Sequence, residues 1–300
     1  DQNIHKIYSD DFPPDIPVIT IGTGENIKTL ETIAYILKGL LDNNCDRSSF
    51  LIGIGGGIVT DIAGFAASIF MRGIPLGFVS TSLLSQVDAS VGGKNGVNLD
   101  AFKNMVGVFN QPDFVICDIE LLNTLPKNEI SNGLAEIVKH ALIYDAGMFD
   151  FLIENQQKAL ALDHDVIFRL VADSVRIKSE VVQKDEKEAG ERKKLNFGHT
   201  IGHAIEKVDS CGHGRAVSMG MMAAAEFSRQ KGRITADTVS QIKALLDNLN
   251  LPTQLDYPAD KIIGAAQKDK KKHGNDLFYV FLEQIGSAVV EKISLDEMNR

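Results

Sequence analysis

Cysteine is scarce: Cys45, Cys117 and Cys211 are the only three among 300 residues. Widely separated and odd in number, they exclude a disulfide framework and predict reduced thiols in a cytoplasmic protein. Long apolar runs are missing as well. None approaches the roughly 18–20 residues that cross a bilayer, so no membrane association is expected. The opening residues Asp1-Gln2-Asn3-Ile4-His5-Lys6 have no apolar stretch like that of a signal peptide. Positive charge is in deficit, with 31 Lys and Arg against 40 Asp and Glu and a net charge of −9. That balance excludes a general nucleic-acid binder, whose surface must be basic. It does not exclude a small anionic ligand, because a local lysine cluster overrides the global sign.

What is present is the composition of a soluble globular protein, 44% hydrophobic and 24% charged. The length suits one large domain or two ordinary ones. Residues 15–21 and 50–54 read as short buried strands. Between them Leu30, Ile33, Ile36, Leu37, Leu40 and Leu41 recur at helical spacing. Further apolar runs at 76–80 and 114–118 predict an open, parallel, Rossmann-like α/β domain over residues 1–122. After Leu125-Pro126 the pattern changes to long amphipathic segments, at about 129–145, 147–162, 165–184, 196–208, 215–231 and 236–248. Residues 123–300 therefore read as a helical domain, with one late strand-like run at Phe278–Leu282.

Three stretches carry chemistry. Strand 50–54 runs into Gly55-Gly56-Gly57 and then a helix, a turn at which backbone approaches a ligand and phosphate finds a helix N-terminus. It is not the G-x-G-x-x-G fingerprint of ordinary dehydrogenases. Upstream, Glu25 and Lys28 sit just past a strand, placed for ribose hydroxyls and a phosphate. The second stretch, residues 80–104, sets Asp88, Lys94, Lys103 and Asn104 among Gly92, Gly93 and Gly96, which suits backbone wrapped around a small anion.

The third holds three histidines within fifteen residues, of seven in the chain. His199 and His203 lie four apart and share a helix face; His213 follows. Upstream, Glu136 and Lys139 lie three apart on another predicted helix. Neutral imidazoles and one carboxylate suit zinc, and three protein ligands leave a catalytic position open. Glu188, Arg192, Asn196, His199 and His203 step by four, four, three and four, so a continuous helix would align them in one polar stripe.

Over nearly its whole length the chain resembles the 3-dehydroquinate synthase family. The matching blocks are GENIKTLE from Gly24, GGGIVTDIAGFAA from Gly55, FMRGIP from Phe70, TSLLSQVDASVGGKNGVN from Thr81 and KNMVGVFNQP from Lys103. They continue with LNTLP from Leu122, GLAEIVKHALI from Gly133, the block from Lys178 to Glu206, and HGRAVSMGM from His213. The resemblance implies a nucleotide-binding domain followed by a metal-binding one. It implies NAD and a divalent metal as cofactors, zinc first and cobalt as an alternative.

By the same resemblance Glu136, His199 and His213 are metal ligands, and His203 is a neighbouring acid/base or phosphate partner. Asp1, Asn3, Glu25, Lys28, Gly56, Gly57, Asp61, Thr81, Ser82, Leu84, Asp88, Lys94, Lys103 and Thr124 fall at cofactor positions. Asp88, Lys94, Asn104, Lys139, Lys178, Glu188, Arg192 and Asn196 fall at substrate positions, joined by Lys270 or Lys271. Arg72 corresponds to a residue that reaches a neighbouring subunit, which implies a homodimer. The implied substrate is a sugar phosphate, 3-deoxy-D-arabino-heptulosonate 7-phosphate. The implied reaction is NAD-linked oxidation, β-elimination of phosphate, reduction and aldol closure, a net lyase reaction. Another sugar phosphate cyclase and a metal-dependent polyol dehydrogenase fit the same residues.

The chain departs from the family pattern at several points. Arg215 stands where the family has glutamate in His-Gly-Glu, reversing a charge two residues from an expected ligand. Thr60 replaces a glycine, and Ser80 and Ser82 replace the Pro and last Thr of a P-T-T motif. Asp1-Gln2-Asn3 resembles the segment after the family's first strands, so those strands are expected to lie outside this sequence.

Overall fold

A parallel sheet forms where the sequence alternates β-branched runs with helical ones. In a computed structural model, residues 1–100, 102–209, 211–254, 257, 261, 262, 264, 276–294 and 297 are described. They divide into two units, Asp1–Thr124 and Leu125–Arg300.

The first unit opens with a short helix, α1 (Gln2–Tyr8), capped by the Asp1 carboxylate, which accepts from the N–H groups of Asn3 and Ile4. The expected strand at 15–21 makes no ladder; Ile21 instead packs in the core while its carbonyl accepts from Gln2 N–H. Pro13, Pro14 and Pro17 explain this, since proline lacks the N–H a ladder needs. Helix α2 (Leu30–Asp42) follows, capped by Thr29, and buries Ile33, Ile36 and Leu40. Each such side chain contributes roughly 1.5–3 kcal/mol on burial.

Strands β1 (Leu51–Gly55) and β2 (Leu76–Ser80) pair in parallel, with helix α3 (Gly57–Ile69) between them. The end of the stretch 80–104 and the residues after it form an antiparallel hairpin of β3 (Lys94–Leu99) and β4 (Phe102–Phe109) that the sequence reading did not foresee. Gly96 explains part of that pairing: a Cβ there would fall 2.6 Å from the Val106 carbonyl oxygen. Strand β5 (Phe114–Ile116) completes the parallel sheet in the order β1-β2-β5. Ile62, Ala66, Ala67, Leu76 and Phe78 form the centre of this unit's core.

The second unit is built around α4 (Lys127–Tyr144), buried continuously from Ile130 to Ile143. Helices α5 (Ala146–Leu160) and α6 (His164–Lys184) follow, their starts fixed by Asp145 and Asp163 as N-caps. Then come α7 (His199–Val208), α8 (His213–Gln230) and α9 (Ala236–Asn248). The late apolar run lies in β6 (Asp276–Gln284), which pairs antiparallel with β7 (Ser287–Ser294), a strand the sequence reading did not predict. The turn between them is tied to α4 by Gly286 N–H donating to the Leu142 carbonyl, 2.8 Å. Among the described residues, no helix is long and apolar enough to cross a membrane.

Candidate active site

In the second unit, three helices bring Glu136, His199 and His213 to one point. Glu136 lies on α4 with no exposed surface. Its Oε1 is 3.0 Å from His213 Nε2 and 3.5 Å from His199 Nε2. All three ligand atoms lie within 4.8 Å of one another. Tetrahedral zinc with bonds of about 2.0–2.2 Å spaces its ligand atoms by about 3.3–3.6 Å. The two carboxylate–imidazole spacings lie close to that range, and with one carboxylate and two imidazoles as donors the residues present suit the metal.

The outer nitrogens of both rings are also placed. His199 Nδ1 lies 3.1 Å from the Phe197 carbonyl. A carbonyl only accepts, so Nδ1 carries the proton and Nε2 is left as the ligand atom. Glu206 Oε2 lies 3.6 Å from His213 Nδ1, across the ring from Glu136. Burial holds the His199 imidazole neutral, pushing it down to about 3 against the pull of Glu136. Burial acts on His213 in the same sense, but the hydrogen bonds to Glu136 and Glu206 outweigh it and push His213 up to about 10. His203 stands edge-on to His199, ring centroids 5.3 Å apart, and is exposed.

Lys139 pairs with the second oxygen of Glu136, and both are buried. Lys178 on α6 and Arg192 are buried too, 6% and 2% exposed. The stripe from Glu188 to His203 is not one helix. Residues Glu191–Asn196 form a 3₁₀ turn, Gly198 takes the left-handed conformation at φ 77°, and α7 starts at His199. The sequence step of three at Asn196–His199 spans this break. Glu188 still contacts Asn196, through Oε1 to Nδ2. The arrangement depends on Asp185, which sequence reasoning missed. Its carboxylate accepts from the N–H groups of Gly190 at 2.7 Å, Ala189 at 2.8 Å and Arg192 at 3.1 Å. These bonds, that from Gly190 foremost, hold Asp185 below the usual carboxylate range. The folded loop lets the Arg192 guanidinium donate to the Glu186 carbonyl, 2.5 Å.

In the first unit Lys28 is the hub. It is 5% exposed, and its ammonium meets Asp61 at 2.5 Å and Asn104 at 2.6 Å. Glu25 accepts from Asn98, whose side-chain oxygen accepts from Asn104 N–H. Glu25, Lys28, Asp61 and Asn104 thus form one network, which joins a residue expected at substrate to three expected at cofactor. Gly56 caps α3 and faces Ser82: a Cβ on Gly56 would sit 3.1 Å from the Ser82 hydroxyl. Thr81 N–H donates to Gly55. Leu84 leads into a single π-helical turn, Ser85–Ala89, that carries Asp88, and a Cβ on Gly57 would meet Ala89 at 2.8 Å. Such turns recur at functional sites.

Lys94 and Lys103 lie exposed on β3 and β4. Asp1 is engaged as a helix cap, Asn3 is exposed on α1, and the Thr124 hydroxyl lies 3.0 Å from that of Tyr8. Arg72 is exposed at φ 72°, following Met71 at φ 47°. Among the described residues, eight non-glycine residues have positive φ, and Arg72, Asn104 and Glu188 are among them. Strain of this kind, roughly 1–3 kcal/mol each, collects at functional positions. Lys270 and Lys271 lie outside the described residues. Glu206 was also missed, although it continues the i, i+4, i+7 spacing of His199 and His203.

Comparison with known proteins adds a family. The model of the 3-dehydroquinate synthase N-terminal domain matches residues 18–132, and that of its C-terminal domain matches 133–272. The 3-dehydroquinate synthase of Citrifermentans bemidjiense is 42% identical over 280 residues, 92% of this chain and 77% of that protein. That of Alkaliphilus metalliredigens is 40% identical over 289 residues, 93% and 81% respectively. Among solved structures, 2-epi-5-epi-valiolone synthase from Streptomyces hygroscopicus, with NAD+ and Zn2+ bound, superposes with a TM-score of 0.92 at 25% identity. That match covers 99% of this chain and 87% of that one. A 2-deoxy-scyllo-inosose synthase complexed with carbaglucose-6-phosphate, NAD+ and Co2+ gives 0.84 at 26% identity, covering 93% and 81%.

Proposed function

The chain belongs to the 3-dehydroquinate synthase family, and we infer that it converts 3-deoxy-D-arabino-heptulosonate 7-phosphate to 3-dehydroquinate and phosphate. The observation that carries this reading is the Glu136–His199–His213 cluster, with Glu136 fully buried and Lys139 paired against it. When bound, NAD supplies a hydride acceptor that is restored within the cycle, and zinc or cobalt supplies a Lewis acid.

The chain's own residues do the rest. Glu136 and the Nε2 atoms of His199 and His213 would hold the metal, while the Phe197 carbonyl and Glu206 keep both rings oriented. Lys178 and Arg192 are buried cations suited to a phosphate and to charge developing beside it. Asn196, positioned by Glu188, offers amide hydrogen bonds to hydroxyls. His203 moves protons at the exposed edge of the histidine group. Lys28 and Glu25, with Gly56 and Gly57, suit the charged and ribose parts of NAD. In the first unit Asp88, Lys94 and Asn104 suit hydroxyl and phosphate groups of a substrate, and Arg72 serves a second copy in a homodimer. The unpaired thiols of Cys45, Cys117 and Cys211 accord with a cytoplasmic enzyme.

The test is incubation of the heptulosonate phosphate with protein, NAD and zinc. Stoichiometric phosphate and 3-dehydroquinate without net NADH support the reading. NADH accumulating from a simple polyol, or phosphate released only from another sugar phosphate, would replace it with a dehydrogenase or a different cyclase.

A further inference from the structure

The three proposed ligands stand on three separate helices, so something must fix the distances between those helices to a fraction of an ångström. Glycines occupy the crossings. At the α4–α8 crossing Gly214 follows His213 directly and rests on Asn132, one turn before Glu136. A Cβ on Gly214 would fall 2.5 Å from the Asn132 carbonyl oxygen and 2.8 Å from its carbonyl carbon. The obstructing atoms are backbone, so no rotamer change relieves them. At the α7–α8 crossing Gly198 precedes His199. A Cβ there would lie 2.8 Å from Met221 N and 3.0 Å from the Val217 carbonyl, in a left-handed conformation at φ 77°. From the other side, a Cβ on Gly220 would lie 2.8 Å from Gly202 N. Gly202 is looser, its nearest neighbours standing 3.2 Å from such a Cβ.

Gly198 has a second duty. Its left-handed backbone ends the 3₁₀ turn and starts α7, and this reversal aims the Phe197 carbonyl at His199 Nδ1. The same residue therefore sets the helix spacing and the tautomer of the first histidine.

We propose that Gly214 and Gly198 are positioning residues for the metal: backbone contact at these glycines sets the Glu136–His199–His213 geometry before any ion binds. The site is thus preformed, unlike small zinc modules that fold only around their metal. The inference rests on the metal-binding half of the function proposed above, not on the identity of the substrate.

The experiment is a Co2+ titration of metal-stripped full-length protein, followed by visible absorption, with circular dichroism as the check on folding. Gly214→Ala should lower Co2+ affinity by at least about tenfold, the scale seen when groups that orient ligands are disturbed. Gly202→Ala, which requires shifts of only tenths of an ångström, should fold and show a smaller loss. Gly232→Ala is the control. It also has positive φ, 73°, but nothing lies within 4 Å of a Cβ there, so it adds strain without moving a ligand helix. Its affinity should equal that of the unaltered protein even where its melting temperature falls. If Gly214→Ala does not fold, the comparison of Gly202→Ala with Gly232→Ala still decides. Equal affinities across the series, or a loss for Gly232→Ala as large as for the others, would overturn the proposal. So would metal-free protein that lacks its helical circular dichroism. An unaltered protein that takes up no Co2+ would overturn the metal reading itself, whatever the substrate test shows.

Discussion

The two units handle charge in opposite ways. In Leu125–Arg300 four of the charged residues expected to act are withdrawn from water: Glu136, Lys139, Lys178 and Arg192 are each at most 6% exposed, and Glu188 is half-buried. In Asp1–Thr124 they lie mostly at the surface, with Glu25, Arg72, Lys94 and Lys103 exposed and Lys28 buried. A buried charge must be paired and hydrogen-bonded, and the packing that satisfies it also makes it rigid. An exposed one retains much of its hydration and is held less tightly. The helical unit therefore fixes its charged groups by packing, whereas the α/β unit leaves most of its own at the surface.

The contrast is broken most severely at the metal cluster. His199→Ala should reduce turnover by at least about 10³-fold, consistent with losing several kcal/mol of charge stabilisation. Bound metal per subunit should fall with it; full occupancy in that variant would refute the ligand assignment. Lys139→Met tests rigidity in the same place. Removing the buried Lys139 ammonium, with His213 left as a partner of Glu136, should cost up to about 3–5 kcal/mol in denaturant unfolding, against next to nothing for an exposed pair.

Asp185→Ala should release the loop that holds Arg192. A displaced positioning group can lower kcat/KM by up to about 10²-fold, and metal content should stay unchanged. The pH dependence has a definite sign. Asp185 titrates below its unfolded value, so its stabilisation is present above the usual carboxylate range and is lost as pH falls through its lower folded value. Asp185→Asn should show no such loss within that window. An unchanged kcat/KM in Asp185→Ala would remove the residue from the account.

In the α/β unit the effects should be smaller. Lys28→Met should weaken NAD binding by about tenfold, the equivalent of one lost charge-assisted contact, as measured by calorimetry. Asp1→Ala removes only a helix cap and should cost about 1 kcal/mol or less, with NAD affinity unaltered. If it weakens NAD binding as much as Lys28→Met does, the separation between cap and cofactor contact fails.

Long helices were legible because their apolar spacing persists over many residues; α9 spans the predicted 236–248. The cluster was legible because its residue types are rare and its pairs fall at helical intervals. Legibility failed where backbone geometry depends on distant partners. The β3–β4 hairpin was not foreseen because its glycines and lysines lack strand alternation, and its strands are held by pairing with each other. The stripe from Glu188 to His203 looked continuous because a left-handed glycine preserves the approximate spacing while breaking the helix. Asp185 was invisible because its partners are backbone N–H groups, which carry no signature in the sequence.

The central claim is that Glu136, His199 and His213 form the metal site on which phosphate release depends. Phosphate release from the heptulosonate phosphate, measured before chelation, after it and after zinc is restored, tests this most directly. The account predicts loss on chelation and recovery with zinc, without net NADH at any stage. Release that persists undiminished in metal-stripped protein would contradict it.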